Sequence, residues 1–179
     1  MHPVLVVMGG LPGTGKSTIA AALAAETATP YFRLDRIEQT MVAWSSLTHP
    51  LGPVGYAIAH QLALEQLHLG LDAIVECVNP IAVTRDAWPV TASAADAVLL
   101  EVEVVCSDVA EHRRRVENRP TDVAGLVKPT WEEVVGREYE PWGRDHVRID
   151  SATTSAAEAI ERLRTLMIAA RTSLPAQST

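Results

Sequence analysis

The residues best suited to chemistry form one short run near the amino end of this 179-residue sequence. Gly10, Leu11, Pro12, Gly13, Thr14, Gly15, Lys16 and Ser17 match G-x-x-x-x-G-K-[ST] at every fixed position, and Thr18 continues the run. Glycines allow successive backbone N–H groups to converge on a phosphate without β-carbon clashes. A helix opening at Lys16 adds the positive end of its dipole. The Lys16 ammonium is then placed to bridge β- and γ-phosphate oxygens, and the Ser17 hydroxyl to hold Mg²⁺. Residues 10–18 are therefore the expected nucleotide-holding set, with ATP and Mg²⁺ as the implied ligands.

Acids and arginines further along fit the chemistry of phosphoryl transfer. Asp35 directly follows an expected second strand, where ligands of parallel sheets gather, and can accept the proton of an attacking hydroxyl. With Glu38 three residues on, Asp35 also reads as a helix cap, and one residue can do both. Glu76 ends the apolar run at 73–75, a position from which a carboxylate reaches Mg²⁺. Arg115 and Arg119 are four apart and share a helix face flanked by His112, ready to clamp a triphosphate and steady transferring charge. Arg113 instead pairs with Glu117 on the surface. Arg36, Trp44, Asn79 and Arg85 are expected substrate contacts. Residues 39–64 hold no Lys, Arg, Asp or Glu. Met41, Trp44, Ser45, Leu47, His49 and Tyr56 therefore suggest an uncharged acceptor pocket for a hydroxyl-bearing small molecule, with Arg36 leaving room for an anionic group.

The elements that must position these residues read as an alternation of strands and helices. Expected strands are 4–8, 31–34, 73–78, 98–106 and 147–149. Expected helices are 16–27, 35–43, 53–69, 81–95, 109–118, 131–139 and 155–171, the fifth capped at Ser107 or Asp108. Such alternation implies a parallel sheet covered on both faces, a three-layer αβα fold. One domain spans residues 1–171, with a small lid at about 119–130 and a frayed tail at 172–179.

Composition removes several alternatives. There are 15 basic and 22 acidic residues, a net charge of −7, and only two of the basic residues are Lys, Lys16 and Lys128. A nonspecific polyanion binder carries a basic face instead, so nucleic acid is a disfavoured partner. Cys77 and Cys106 lie in apolar runs without metal-ligand spacing and read as reduced core thiols of a cytoplasmic protein. No segment has the length and apolarity of a membrane span. N-K-x-D is missing, which argues against a GTPase. Oligomeric state is not legible.

With these residues in view, the chain resembles the small P-loop, AAA-domain kinases grouped around chloramphenicol phosphotransferase, polynucleotide 5′-hydroxyl kinase, zeta-toxin and gluconate kinase. The resemblance covers roughly residues 4–151. It rests on residues 10–18, Asp35, the Arg115/Arg119 pair and the stretch Arg137-Glu-Tyr-Glu-Pro141. It implies a P-loop NTPase fold like that of the nucleoside monophosphate kinases, with five parallel strands, the P-loop strand central and a small lid. It also implies transfer of the γ-phosphoryl of ATP to a hydroxyl with Mg²⁺ and with Asp35 as base. Glu76 stands where many relatives carry Asp, and no D-x-D follows the second strand, unlike shikimate kinase. The acceptor is expected to be a sugar, nucleoside or natural product such as an antibiotic. A polynucleotide 5′-hydroxyl kinase and a nucleotide-binding switch without transfer activity are the alternatives.

Overall fold

An unbroken apolar run, Val4 to Gly9, forms β1, and all six of its residues are buried, so layers must cover it on both sides. In the computed structural model, which describes residues 2–118, 125 and 128–172, β1 is the middle of a five-stranded sheet. Its parallel neighbours are β3 (Ala73–Glu76) and β4 (Val98–Val105). Outside them lie β2 (Tyr31–Arg33) and β5 (Val147–Asp150), giving the order β2-β3-β1-β4-β5 with every pairing parallel. The expected fold class and strand arrangement are both present.

Parallel neighbours need crossovers, and helices supply them. On one face α1 (Lys16–Thr27) and α7 (Ala156–Thr172) bury Leu23, Leu163 and Met167 against Val4, Val6, Val104 and Ile149. On the other face α2 (Leu34–Ala43), α3 (Val54–His68) and α4 (Ala82–Ala94) pack Leu34, Ala59, Leu67 and Trp88 against Leu5, Val7 and Val75. Two shorter helices, α5 (Val109–Asn118) and α6 (Trp131–Val135), follow β4. Cys77 and Cys106 are buried and free. No helix among the described residues is long and apolar enough to cross a membrane. The expected lid at 119–130 lies mostly outside the described residues, as does the tail from 173 onward.

Boundaries shift where tertiary contacts outweigh local pattern. Leu34, expected to end β2, begins α2 because its side chain is needed in the core beneath that helix. Asp35 therefore sits in the first turn rather than at the cap. β3 stops at Glu76, not 78. The sixth helix ends at Val135 rather than 139, since the Gly136 amide closes the turn on the Glu132 carbonyl. Asp108 caps α5 as expected, its carboxylate accepting from the Glu111 amide at 3.0 Å.

After α6 the chain crosses the carboxyl end of the sheet as a strap. Pro89 inside α4 cannot donate to the Arg85 carbonyl four residues back, and Arg144 of the strap takes that place at 2.7 Å. Arg144 also pairs with Glu101 and Asp86. Tyr139 donates to Glu103, two residues along β4 on the same side. A β-carbon on Gly9 would lie 2.7 Å from the Trp142 ring, so glycine lets the strap close over the end of β1.

Candidate active site

The loop between β1 and α1 takes its shape from three glycines in conformations that other residues rarely adopt: Gly10 (φ +145°), Gly13 (φ +86°) and Gly15 (φ +91°). Space forbids a side chain at two of them. A β-carbon on Gly10 would meet the Val104 carbonyl oxygen at 2.3 Å, and one on Gly13 would meet Val116 Cγ2 at 2.5 Å. The Thr14 hydroxyl donates back to the Leu11 carbonyl at 2.9 Å. His112 of α5, itself buried, donates from Nε2 to the Pro12 carbonyl at 2.8 Å. Gly15 hands the chain into α1, and Lys16, Ser17 and Thr18 fill its first turn.

Beside this loop the buried carboxylate of Glu76 gathers four side chains. Ser17 Oγ donates to Oε1 at 2.5 Å, and the Lys16 ammonium lies 3.7 Å from the same oxygen. Tyr31 donates to Oε2, and Arg33 Nε lies 3.7 Å from it. The strand register makes this inevitable. Glu76 is level with Met8 on one side and Arg33 on the other, and Tyr31 and Arg33 alternate onto one face of β2. Arg33 also approaches Asp35, Nη2 to Oδ2 at 3.9 Å.

Asp35 opens a cleft of about 730 Å³ that runs from Pro12 of the glycine loop to α2, α3 and the segment around α6. His49 and Tyr56 line it as expected. Met41, Trp44, Ser45 and Leu47 do not, and Trp44 is 88% exposed at the end of α2. The expectation of an uncharged pocket is overturned. Asp35, Glu38, Glu133, Lys128 and Arg137 all face the cleft, because α2 and the α6 region contribute walls that the charge-free stretch 39–64 does not. Burial and the nearby Asp35 carboxylate raise the Glu38 carboxyl above its usual range. Burial likewise pushes up the Tyr56 phenol and the Cys77 thiol.

The remaining expected residues separate into those near the loop and those elsewhere. Arg115 is beside it: Nη1 donates to Ser151 Oγ at 2.8 Å and lies 3.8 Å from where a Gly15 β-carbon would be. Its Nε donates to Glu111, whose carboxyl is held well below its usual range by hydrogen bonds from Arg114 and Arg115. Arg113 pairs with Glu117 as expected. Arg119 lies outside the described residues. Arg85 is drawn away into the strap, donating to the Glu140 and Pro141 carbonyls and lying over the Trp142 ring. Asn79 is wholly buried with a left-handed backbone, accepting from Trp88 and donating its amide to Tyr56. Arg85 ties α4 to the strap and Asn79 ties the end of β3 to α3 and α4, and neither is among the cleft-lining residues. Arg36 is exposed on α2 outside the cleft lining. Sequence reading gives no role to Tyr31, Arg33, Gln39, Lys128 and Glu133, and it meets Glu38 only as a cap partner and Arg137 only within the family-like stretch 137–141; strand alternation at 31 and 33 is the available signal.

Among the described residues no cluster of three or more His, Cys, Asp or Glu forms a metal cage. Ser17 Oγ and Glu76 Oε1 are hard oxygen donors that fit Mg²⁺, with phosphate oxygens and water needed to complete the shell.

A family model described as an AAA domain matches residues 5–134. No curated protein matches the chain. Solved structures share its fold. A Chloroflexus aurantiacus protein provisionally assigned as a kinase superposes with a TM-score of 0.71 at 17% identity, covering 94% of this chain and 97% of that one. A gluconokinase from Sinorhizobium meliloti gives 0.63 at 21%, covering 94% of each. The Mycobacterium tuberculosis APS kinase in complex with AMPPNP and APS gives 0.66 at 17%, covering 92% and 98%.

Proposed function

The chain belongs to that AAA-domain family with the fold of small P-loop kinases, and from this premise we propose that it transfers the γ-phosphoryl group of ATP to a hydroxyl of a small molecule. One observation carries the reading: the phosphate loop opens at Pro12 into the cleft that Asp35 lines. A triphosphate on the loop would end where the cleft begins.

The residues divide the work. The loop amides of Gly13, Gly15, Lys16 and Ser17 and the Lys16 ammonium hold the β- and γ-phosphates, and Arg115 sits at the flank of the loop. Asp35 takes the proton of the acceptor hydroxyl as its oxygen forms a bond to the γ-phosphorus. The bond from that phosphorus to the β–γ bridging oxygen breaks, and ADP leaves with that electron pair. Ser17 and Glu76 would hold Mg²⁺, which supplies neutralisation of charge on the transferring oxygens. Arg33, between Glu76 and Asp35, keeps the two carboxylates oriented.

ATP consumption measured against a panel of sugars, nucleosides and antibiotics tests the proposal. Acceptor-dependent ADP release and a phosphorylated alcohol are expected. Binding of ATP without turnover on any alcohol would favour a nucleotide-operated switch instead.

A further inference from the structure

Within the acceptor cleft one carboxyl is left over by the mechanism. Asp35 and Glu38 are three residues apart on α2, which puts their β-carbons about 5–6 Å from each other on one face, and both line the cleft. Glu38 is half-buried. What acts on its carboxyl is burial and through-space charge from Asp35, His49 and Arg137, with no hydrogen bond among these influences. Most carboxylates near the sheet end are already engaged: Glu76, Glu101, Glu103 and Glu140 all accept hydrogen bonds from side chains or backbone. Glu133 of the opposite wall closes its own helix cap at Thr130.

α3 leaves room for it. A β-carbon at Gly55 of α3 would lie 2.6 Å from both Cγ and Oε1 of Glu38, so a larger residue there would make the Glu38 side chain turn aside. With glycine at 55 the carboxyl lies at the cleft wall beside the proposed base.

Resting on the transferase reading above, we infer that Glu38 selects the acceptor, a neutral polyol whose second hydroxyl, adjacent to the one phosphorylated, hydrogen-bonds the Glu38 carboxyl. An acceptor hydroxyl addressed by Asp35 brings a neighbouring hydroxyl within reach of a side chain one helical turn away. A neutral ligand suits the charges present, because Lys128 and Arg137 line the same cleft as Asp35, Glu38 and Glu133 and leave neither sign alone there. A carboxyl at this place can accept a hydrogen bond from a neighbouring hydroxyl of the acceptor.

The test uses the full chain, ATP and Mg²⁺, with monosaccharides and cyclitols each paired with monodeoxy and monoamino analogues. For the best polyol, removing the hydroxyl next to the phosphorylated one is expected to lower kcat/KM by about tenfold or more. Glu38→Ala should shrink that preference to within about threefold, chiefly by raising the KM of the polyol, while Glu38→Gln, which keeps hydrogen-bonding atoms there, retains part of it. An unchanged preference in Glu38→Ala overturns the assignment, and so does a wild-type preference for the amino analogue. Turnover on other alcohols but on none of these polyols overturns this inference alone. Failure on every alcohol overturns the transferase reading as well.

Discussion

Ser17 and Glu76, 59 positions apart in sequence, share a hydrogen bond of 2.5 Å from the Ser17 hydroxyl to the Glu76 carboxylate. That bond joins the first turn of α1 to the carboxyl end of β3, and it places a hydroxyl and a carboxylate together at the edge of the phosphate loop. Glu76→Gln keeps the shape but removes the charge that Lys16 and Arg33 face. The Mg²⁺ concentration for half-maximal rate should rise by about 10–100-fold, read from magnesium titrations of ATP turnover. EDTA should abolish turnover in the wild type, with added Mg²⁺ restoring it.

Asp35→Asn removes the proposed proton acceptor while leaving the phosphate loop intact. Turnover should fall by about 10²–10⁴ with ATP affinity nearly unchanged, measured by single-turnover kinetics beside nucleotide titration. Equal turnover would strip Asp35 of its role.

Gly13→Ala places a β-carbon 2.5 Å from Val116 at a φ of +86°. Strain of about 1–3 kcal/mol, together with displacement of the loop from α5, should lower both stability and ATP affinity. Denaturant unfolding and nucleotide titration read the two effects separately. Gly143, with open space around it, is the control at which alanine should change neither.

His60 stacks against Trp88 at 3.7 Å between ring centres, and burial holds its imidazole below the ordinary value of 6.5. In the unfolded chain the same group binds its proton first as pH falls. Stability is therefore fully present above about pH 6.5 and declines as pH drops below it, toward the folded-state value. Denaturant midpoints at pH 7.5 and 5.5 should show the loss, and His60→Gln should flatten part of it.

Local pattern explains why the centre of the fold was readable and its rim was not. Val4 to Gly9 and the motif after it carry their own signals, a doubly buried strand and a glycine loop, while the central place of that strand in the sheet is legible only through the family resemblance. Asp35 and Glu76 were placed by the rule that ligands gather at carboxyl ends of parallel strands. Arg85 misled because its role depends on a strap 55 residues away, where Glu140 and Pro141 offer carbonyls that no local pattern announces. The acceptor cleft was misread for the same reason. Residues 39–64 are free of charge, but the wall opposite them comes from Lys128, Glu133 and Arg137, brought near only by the chain's return after α5. His112 reads in sequence as one flank of an arginine-rich helix, and only the fold turns it onto the Pro12 carbonyl.

The central claim is that backbone amides and one buried ammonium at the mouth of α1 grip a triphosphate. Calorimetric titration of the full chain with ATP and Mg²⁺ tests it most directly. Single-site binding is expected, weakened by about 10-fold or more in Lys16→Ala, whose lost charge is worth at least about 1.4 kcal/mol by that ratio. Absence of binding heat in the wild type across several temperatures, or equal affinity in the wild type and Lys16→Ala, would contradict it.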